Sequence, residues 1–197
     1  MVKRLFSKPQ KRKIFLQTYG DSLTEGYPYS PAKSWASLLA TQLGTGIVIS
    51  GANGRLIQEM LLEKEEHLEG QDTAYVTLLG GTNDIYLGHD PDDVFLQLKE
   101  LHHWVEIQGK QPIICLPPPS LDDLIEVELI AYREELRDWS IRSGKPFIDF
   151  DYLFRNEKGE ILTKLYHDPC HPNEEGYQKM AKQAGIFFKP LFDKWKK

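Results

Sequence analysis

The sequence has few cysteines, no long apolar run and no excess of positive charge. Its two cysteines, Cys115 and Cys170, are too few for a disulfide framework, and Cys115 lies in a strand-like run where a small buried side chain is expected. No stretch approaches the roughly 18 consecutive apolar residues of a membrane-spanning helix. The N-terminus also lacks the apolar core of a signal peptide. We therefore expect a cytoplasmic protein without stable membrane insertion.

The net charge is −5 over 197 residues, which argues against a nucleic-acid-binding protein. The charge is uneven, because residues 1–13 carry six basic side chains and no acidic ones. We expect this segment to be a flexible, solvated arm, and the alternative is contact with an anionic surface. The length of residues 14–197 and the 41% hydrophobic content of the chain suit a single domain with a full core.

Short apolar runs alternate with amphipathic segments along residues 14–197. The runs predict strands at 14–19, 47–49, 74–79, 113–116 and 147–150. Helical spacing and capping signals predict helices at 31–43 after Ser30, from 56 to near 70, at 91–108 after Asp90, at 123–142, and after Asn173. This alternation is typical of a parallel sheet covered on both faces. We predict a single-domain, three-layer α/β/α fold with five parallel strands in the flavodoxin-like order 2-1-3-4-5.

The turn after the first predicted strand reads Gly20-Asp21-Ser22-Leu23. In an open α/β sheet, ligands bind at the carboxyl ends of the strands, which is where this turn lies. A serine there can be a nucleophile only if a base, an orienting acid and oxyanion donors lie close to it. The alternative is a serine that merely caps a helix, so the rest of the chain decides between the two interpretations.

Later segments carry side chains that could complete such a site. Gly54 and Asn83 lie in the loops after the second and third strands, which flank the first strand in the predicted order. Asp168 and His171 precede the last helix, and their spacing lets the carboxylate accept the Nδ1 proton of the imidazole. Nε2 then remains free for Ser22. The N-terminus of the following helix disfavours an imidazolium, which gives a physical reason for a carboxylate beside the ring.

These segments resemble, in the same order, the four sequence blocks of the SGNH (GDSL-type) hydrolases. The matching residues are Gly20-Asp21-Ser22-Leu23, a glycine after the second strand, Gly81-Thr82-Asn83-Asp84, and Asp168 with His171, within about residues 14–190. The resemblance implies Ser22 as nucleophile, His171 as general base and Asp168 as its orienting acid. It also implies an oxyanion hole formed by the backbone N–H groups of Ser22 and Gly54 and the side-chain amide of Asn83. No metal or organic cofactor is expected.

The second block departs from the usual pattern, because residues 49–51 read Ile-Ser-Gly where the family usually has an asparagine before its glycines. Gly54 is the expected oxyanion donor, and Gly51 remains the alternative. Cys170 lies beside His171, but adjacent positions rarely give the geometry for attack, so a thiol nucleophile is disfavoured. Aromatic and apolar loop residues near the site are candidates for an acyl pocket. They are Tyr27, Tyr86 and Leu121, with Tyr29 and Leu87 beside them.

Asp84, His102 and His103 are interpreted as structural residues rather than as catalytic or metal-binding ones. Asp84 is expected to brace the loop that carries Asn83 rather than to take part in catalysis. His102 and His103 suggest a metal site, but adjacent residues diverge on a helix, and no other ligand stands at suitable spacing.

The resemblance implies a hydrolase of small carboxylic esters, of the short-chain acyl esterase or lipase-like acylhydrolase kind, with an acyl-enzyme on Ser22. The family includes esterases, thioesterases, lysophospholipases and carbohydrate deacetylases. The sequence does not choose among these activities, although the lack of a predicted lid favours short acyl groups.

Two other classes of protein are considered. One is a non-catalytic module that binds a carbohydrate or lipid headgroup, and the other is a flavodoxin-like nucleotide-binding protein. The first would not need Ser22 with a base, and the second would need a phosphate-binding glycine pattern or a Walker lysine in the first loop. The oligomeric state is not predicted.

Overall fold

The computed structural model describes residues 14–70 and 72–197, so the predicted basic arm at 1–13 lies outside the described residues. Five parallel strands form one sheet. They are β1 (Ile14–Gly20), β2 (Val48–Gly51), β3 (Thr73–Leu79), β4 (Gln111–Leu116) and β5 (Phe147–Asp149). Their order is β2-β1-β3-β4-β5. The predicted fold class and strand order are therefore confirmed.

Helices cover both faces of the sheet. They are α1 (Ser22–Glu25), α2 (Trp35–Leu43), α3 (Ile57–Leu68), α4 (Thr82–Tyr86), α5 (Pro91–Ile107), α6 (Asp123–Arg142) and α7 (Glu174–Trp195), with short 3-10 turns at Pro31–Lys33, Asp151–Phe154 and Thr163–Leu165. In the part of the chain that the structure describes, none of these helices combines the length and apolar character needed to cross a membrane.

Two apolar clusters, one on each face, hold the helices to the sheet. On the side of α2 and α7, Trp35 and Phe188 are fully buried in a cluster that also contains residues of β1, β4 and β5. On the opposite side, Met60, Leu98 and Leu136 join α3, α5 and α6 to β3 and β4. Each fully buried side chain of this size contributes about 1.5–3 kcal/mol. The sheet is thereby a rigid base for the loops at its carboxyl edge.

The register of the central strands aligns the ends of three of them. Gly20, at the end of β1, lies opposite Gly51 of β2 and Leu79 of β3. The loops that carry Ser22, Gly54 and Asn83 therefore leave the sheet at the same level. This placement agrees with the prediction that these loops meet at one edge.

Several helix limits agree with the sequence pattern. The α6 helix spans residues 123–142 as predicted. The Asp90 carboxylate accepts a hydrogen bond from the Asp92 N–H at 2.9 Å, and the Asn173 side chain accepts one from the Gly176 N–H at 3.1 Å. Both side chains thus cap their helices, α5 and α7, by the expected mechanism.

The start of α2 differs from the prediction. Residues Pro31–Lys33 form a 3-10 turn, and Ser30 makes no side-chain capping hydrogen bond. The α2 helix begins after Ser34, whose Oγ accepts a hydrogen bond from the Ser37 N–H at 3.2 Å. The serine-proline pair therefore starts a separate turn, and the second serine is the true cap.

Two other local features differ from the sequence prediction. The β2 strand runs to Gly51 rather than ending at residue 49, because its last residues pair with the end of β1. A side chain at Gly51 would place Cβ 2.4 Å from the Glu25 backbone nitrogen, so glycine allows α1 to rest on β2. The α4 helix forms at 82–86, which the sequence analysis places in the loop after the third strand.

Candidate active site

Ser22 lies at the first position of α1, directly after the sharp exit from β1. Asp21 caps this short helix, and its Oδ1 accepts a hydrogen bond from the Leu23 N–H at 2.9 Å. The side chain of Ser22 is 4% exposed. The hydroxyl is therefore held on buried backbone at the carboxyl edge of the sheet, and little of Ser22 is open to solvent.

The side chains of Ser22, His171 and Asp168 form a continuous chain of contacts. His171 Nε2 lies 3.0 Å from Ser22 Oγ. His171 Nδ1 lies 3.0 Å and 2.9 Å from Oδ1 and Oδ2 of Asp168. With the proton on Nδ1, the ring donates to the carboxylate and offers Nε2 to the serine hydroxyl.

Asp168 also shapes the turn that carries the imidazole. Its Oδ1 accepts hydrogen bonds from the backbone N–H groups of Cys170 and His171, at 2.9 Å and 2.7 Å. Partial burial acts to raise the pKa of Asp168, but these two hydrogen bonds and the His171 ring outweigh it and lower the pKa below its usual value. Asp168 is therefore ionised at neutral pH and holds the ring in one orientation.

The segment around Asp168 is fixed by the loop that follows β4. The Pro169 carbonyl accepts hydrogen bonds from the Leu121 N–H at 2.8 Å and from Ser120 Oγ at 3.4 Å. The Ser120 N–H in turn donates to Oε2 of Glu126 at 2.8 Å. The loop therefore connects the acid–base segment to α6.

Glu126 belongs to a cluster of charged residues that we call the α6 charge network: Glu126, Arg133, Asp151 and Arg155. Oε1 of Glu126 accepts hydrogen bonds from both Arg133 and Arg155. Asp151 lies 3.5 Å from Arg133 and 2.9 Å from Arg155. Arg133 is only 1% exposed, so its charge depends on these carboxylates for compensation.

Tyr27 forms the wall beside the imidazole. Its ring centroid lies 4.6 Å from that of His171, with the planes inclined at 59°. The Tyr27 carbonyl accepts a hydrogen bond from the Tyr177 hydroxyl at 2.7 Å. The backbone of Tyr27 is thus tied to α7, and its ring packs against one side of the imidazole.

Gly54 and Asn83 lie across the cleft from the histidine. Gly54 has a φ of +73°, a conformation that favours glycine. Asn83 lies in the first turn of α4, and its Nδ2 donates to the Arg55 carbonyl at 3.0 Å. Among the described residues, the backbone N–H groups of Ser22 and Gly54 have no hydrogen-bond acceptor. These two N–H groups are therefore available to a bound molecule.

The cleft has a volume of about 270 Å³. Its lining consists of Ser22, Tyr27, Asn53, Gly54, Asn83, Asp168 and His171. Gly51 is not part of this lining, because it is packed beneath α1. All three residues predicted as the acid–base–nucleophile set, and all three predicted donors, thus border one opening.

The predicted pocket residues occupy different places. Tyr27 lines the cleft, whereas Tyr86 and Leu121 lie outside its lining. The Tyr86 hydroxyl contacts Ser120 Oγ at 2.7 Å, and the Leu121 N–H holds Pro169. Tyr29 packs edge-on against His167, and Leu87 is mostly exposed.

Asp84 and Cys170 have structural environments that agree with the sequence interpretation. Both oxygens of Asp84 accept hydrogen bonds from the Ile57 N–H, at 3.2 Å each, so this buried carboxylate connects α4 to the start of α3. Burial raises the pKa of the Cys170 thiol to about 12, which keeps it protonated at neutral pH. A protonated thiol is a poor nucleophile.

Asn53 and Arg55 are site residues that the sequence analysis does not identify. Asn53 lines the cleft. Arg55 is almost fully buried, and its guanidinium donates to backbone carbonyls at the ends of β1 and β2. The only sequence signal is their position on either side of Gly54, which does not distinguish them from ordinary turn residues.

A parallel α/β sheet with a serine, an imidazole and a carboxylate in contact at its carboxyl edge is typical of a carboxylic ester hydrolase. More specifically, the chain belongs to the GDSL-like lipase/acylhydrolase family, whose model matches residues 18–179. The resemblance indicated by the four sequence blocks is therefore confirmed.

Several solved structures have a similar fold. A member of the lipolytic protein G-D-S-L family from Veillonella parvula is 23% identical with a TM-score of 0.80, over 89% of this chain and 98% of that chain. A carbohydrate acetylesterase family member from Sinorhizobium meliloti is 16% identical with a TM-score of 0.73, over 91% and 99%. The aryl esterase of M. smegmatis is 17% identical with a TM-score of 0.73, over 90% and 99%. No curated protein matches the sequence.

Proposed function

We propose that this protein hydrolyses short-chain carboxylic esters through a covalent acyl-enzyme on Ser22. The observation that carries the proposal is the chain of contacts from Ser22 Oγ through His171 to Asp168. A hydroxyl group is a weak nucleophile until a base within hydrogen-bond distance can accept its proton. His171 Nε2, at 3.0 Å from Ser22 Oγ, satisfies that distance.

Acylation begins when Ser22 Oγ attacks the ester carbonyl carbon and its proton moves to Nε2 of His171. The electron pair of the C=O double bond moves to the carbonyl oxygen, which becomes an oxyanion. Asp168 stabilises the imidazolium and keeps it oriented through Nδ1. When the C=O bond reforms, the bond to the alkoxy group breaks, and this group leaves as the alcohol with the proton from Nε2.

Deacylation uses the same groups with water as the nucleophile. His171 takes a proton from water, and the resulting hydroxide attacks the acyl carbon on Ser22. The second tetrahedral intermediate collapses, Ser22 recovers the proton from His171, and the carboxylic acid leaves. Ser22 and His171 thus return to their starting protonation states, and the net reaction consumes one water and releases one alcohol and one carboxylic acid.

The oxyanion is assigned three donors: the N–H of Ser22, the N–H of Gly54 and Nδ2 of Asn83. Support comes from their position around one cleft and from the lack of acceptors for the two backbone donors among the described residues. Gly54 is preferred to Gly51, which faces α1. Losing one donor of this kind costs about 10²–10³ in turnover.

The cleft volume favours small acyl groups. A volume of about 270 Å³ lies below the range of roughly 300–1,000 Å³ that is usual for drug-sized ligands. Asn53 and Asn83 add polar groups to its lining, which suits an acetyl ester on a hydroxylated carrier. The likeness in fold to a carbohydrate acetylesterase family member supports including acetylated sugars among the candidate substrates.

The proposal is tested with p-nitrophenyl acetate, butyrate and octanoate, an acetyl thioester, a lysophospholipid and an acetylated oligosaccharide. We expect hydrolysis of the acetate to exceed that of the octanoate, and Ser22→Ala to lower kcat by about 10⁴-fold or more. Ser143→Ala, at an exposed position at the end of α6, is the control and should retain full activity. Wild-type rates in Ser22→Ala would refute the acyl-enzyme.

A further inference from the structure

Arg55 contacts the ends of the two strands that lie beside the nucleophile. Its Nη1 donates to the Gly20 carbonyl at 3.2 Å and to the Ser50 carbonyl at 3.0 Å. Gly20 is the last residue of β1, and Ser22 follows two positions later. Ser50 lies near the end of β2, before the loop that carries Gly54. The guanidinium therefore sets the distance between the backbone segments that carry Ser22 and Gly54.

The backbone of the same residue positions the third donor. The Arg55 carbonyl accepts a hydrogen bond from Asn83 Nδ2 at 3.0 Å. This bond uses one N–H of the amide and directs the plane of the amide, while the second N–H remains for a ligand. Arg55 also follows Gly54 directly in the chain. One residue thus makes contact with the backbone or side chain of each segment that supplies an oxyanion donor.

The guanidinium is held firmly enough to serve this purpose. Arg55 is 8% exposed. Nη2 lies 3.2 Å from Glu63 Oε2 and 3.2 Å from His67 Nε2, and the group lies over the Tyr19 ring, 5.2 Å from its centroid. A buried, planar fork with fixed partners on several sides imposes geometry on the carbonyls that it binds.

We propose that Arg55 is the positioning residue of the oxyanion hole and acts by holding Ser22, Gly54 and Asn83 at their mutual distances. This inference rests on the function proposed above. Arg55 is not assigned any contact with substrate. Such donors stabilise the transition state only if they are already in position. Moving them during the reaction would cost free energy that offsets the stabilisation. Loss of the Arg55 guanidinium should therefore lower the rate of the chemical step and leave substrate binding nearly unchanged.

The test is a double-mutant cycle between Arg55→Met and Asn83→Ala, measured as kcat and KM for p-nitrophenyl acetate. We expect Arg55→Met to lower kcat by about 10- to 100-fold with KM changed little. We expect Asn83→Ala to lower kcat by about 10²–10³-fold. Because both changes disturb the same oxyanion hole, kcat of the double variant should be only a few-fold lower than kcat of Asn83→Ala alone.

The matched control is Arg137→Met, which removes a partly exposed arginine on α6 that pairs with Asp149 at the end of β5. The loss of kcat caused by Arg137→Met should multiply with the loss caused by Asn83→Ala, since the two residues share no partner. Arg55→Lys keeps the charge without the planar fork and should show an intermediate loss of kcat. If thermal denaturation shows that Arg55→Met does not fold, the same cycle is measured with Arg55→Lys.

Two results would overturn the inference: kcat within twofold of wild type in a folded Arg55 variant, or losses that multiply fully with Asn83→Ala. Ser22→Ala measured in the same assay separates this outcome from failure of the proposed function. An active Ser22→Ala enzyme removes the basis for both proposals. An inactive Ser22→Ala enzyme with uncoupled Arg55 and Asn83 removes only the role of Arg55.

Discussion

Ser22, Gly54 and Asn83 follow the ends of three neighbouring strands, whereas Asp168 and His171 belong to an irregular segment just before α7. We call the first group the oxyanion half of the site and the second the acid–base half. The oxyanion half is set by strand register, with Gly20 opposite both Gly51 and Leu79. The acid–base half lies outside the strands of the sheet and is held by hydrogen bonds to the loop between β4 and α6.

The contacts of the acid–base half show this dependence. Within the segment, the His167 N–H donates to the His171 carbonyl at 2.9 Å and closes a local loop. Outside it, the Tyr166 hydroxyl donates to the Pro119 carbonyl, and the Leu121 N–H donates to the Pro169 carbonyl. The loop after β4 is held in turn by Glu126. Hydrogen bonds from a neighbouring loop therefore fix the acid–base half, whereas strand register fixes the oxyanion half.

The largest effect is expected from a change that disables the acid–base half and leaves the oxyanion half intact. Asp168→Asn should lower kcat by about 10⁴-fold, because the amide cannot hold the imidazole in the required tautomer. Residual catalysis above the rate in water should remain, since the oxyanion donors are unchanged. Steady-state hydrolysis of p-nitrophenyl acetate measures both, with the exposed helix cap variant Asp90→Asn as the control. A loss below tenfold would contradict the assigned role.

A large effect on stability is expected from the α6 charge network. Glu126→Ala leaves the buried Arg133 short of a carboxylate and releases the Ser120 N–H, so it should lower the free energy of unfolding by roughly 3–5 kcal/mol. Asp193→Ala removes an exposed pair with Lys189 and should cost less than about 1 kcal/mol. Urea denaturation compares the two variants. Equal stability of the two variants would contradict this contribution of the α6 charge network to the fold.

A smaller effect, visible through its pH dependence, is expected from Asp21 in the oxyanion half. Burial, helped by the nearby Asp84, raises the pKa of Asp21 to about 7, against hydrogen bonds from backbone N–H groups and the Arg55 charge. In the unfolded chain this carboxyl ionises near pH 4. Between about pH 4 and 7 the folded state binds more protons than the unfolded state, so this group makes stability fall as pH rises through that window.

Asp21→Asn keeps a capping oxygen for the Leu23 N–H and removes the titration. Relative to wild type, the variant should therefore gain stability as the pH rises from about 4 to 7, and the difference should stay constant above that range. Thermal denaturation at several pH values measures the difference, with Asp90→Asn as a capping control. A difference that does not change with pH would contradict the raised pKa.

The sequence predicted the strands and their order well, because apolar periodicity reports burial and the alternation of strands and helices restricts topology. The sequence also predicted that Asp168 and His171 lie beside Ser22, because the four sequence blocks occur in the order that the family has. The contacts of Arg55 with Gly20 and of Ser120 with Pro169 join positions far apart in the chain and leave no local pattern. The α2 start was misplaced because Ser30 and Ser34 are both acceptable caps, and it is the buried Ser34 that accepts the capping hydrogen bond.

The central claim is that the imidazole of His171 activates the hydroxyl of Ser22, and covalent labelling tests it most directly. The protein is treated with a fluorophosphonate, and the modified peptide is identified by mass spectrometry in wild type and in His171→Ala. We expect rapid modification of Ser22 in wild type and little or none in His171→Ala over the same period. Label on another residue, or equal labelling of Ser22 without the imidazole, would contradict the account.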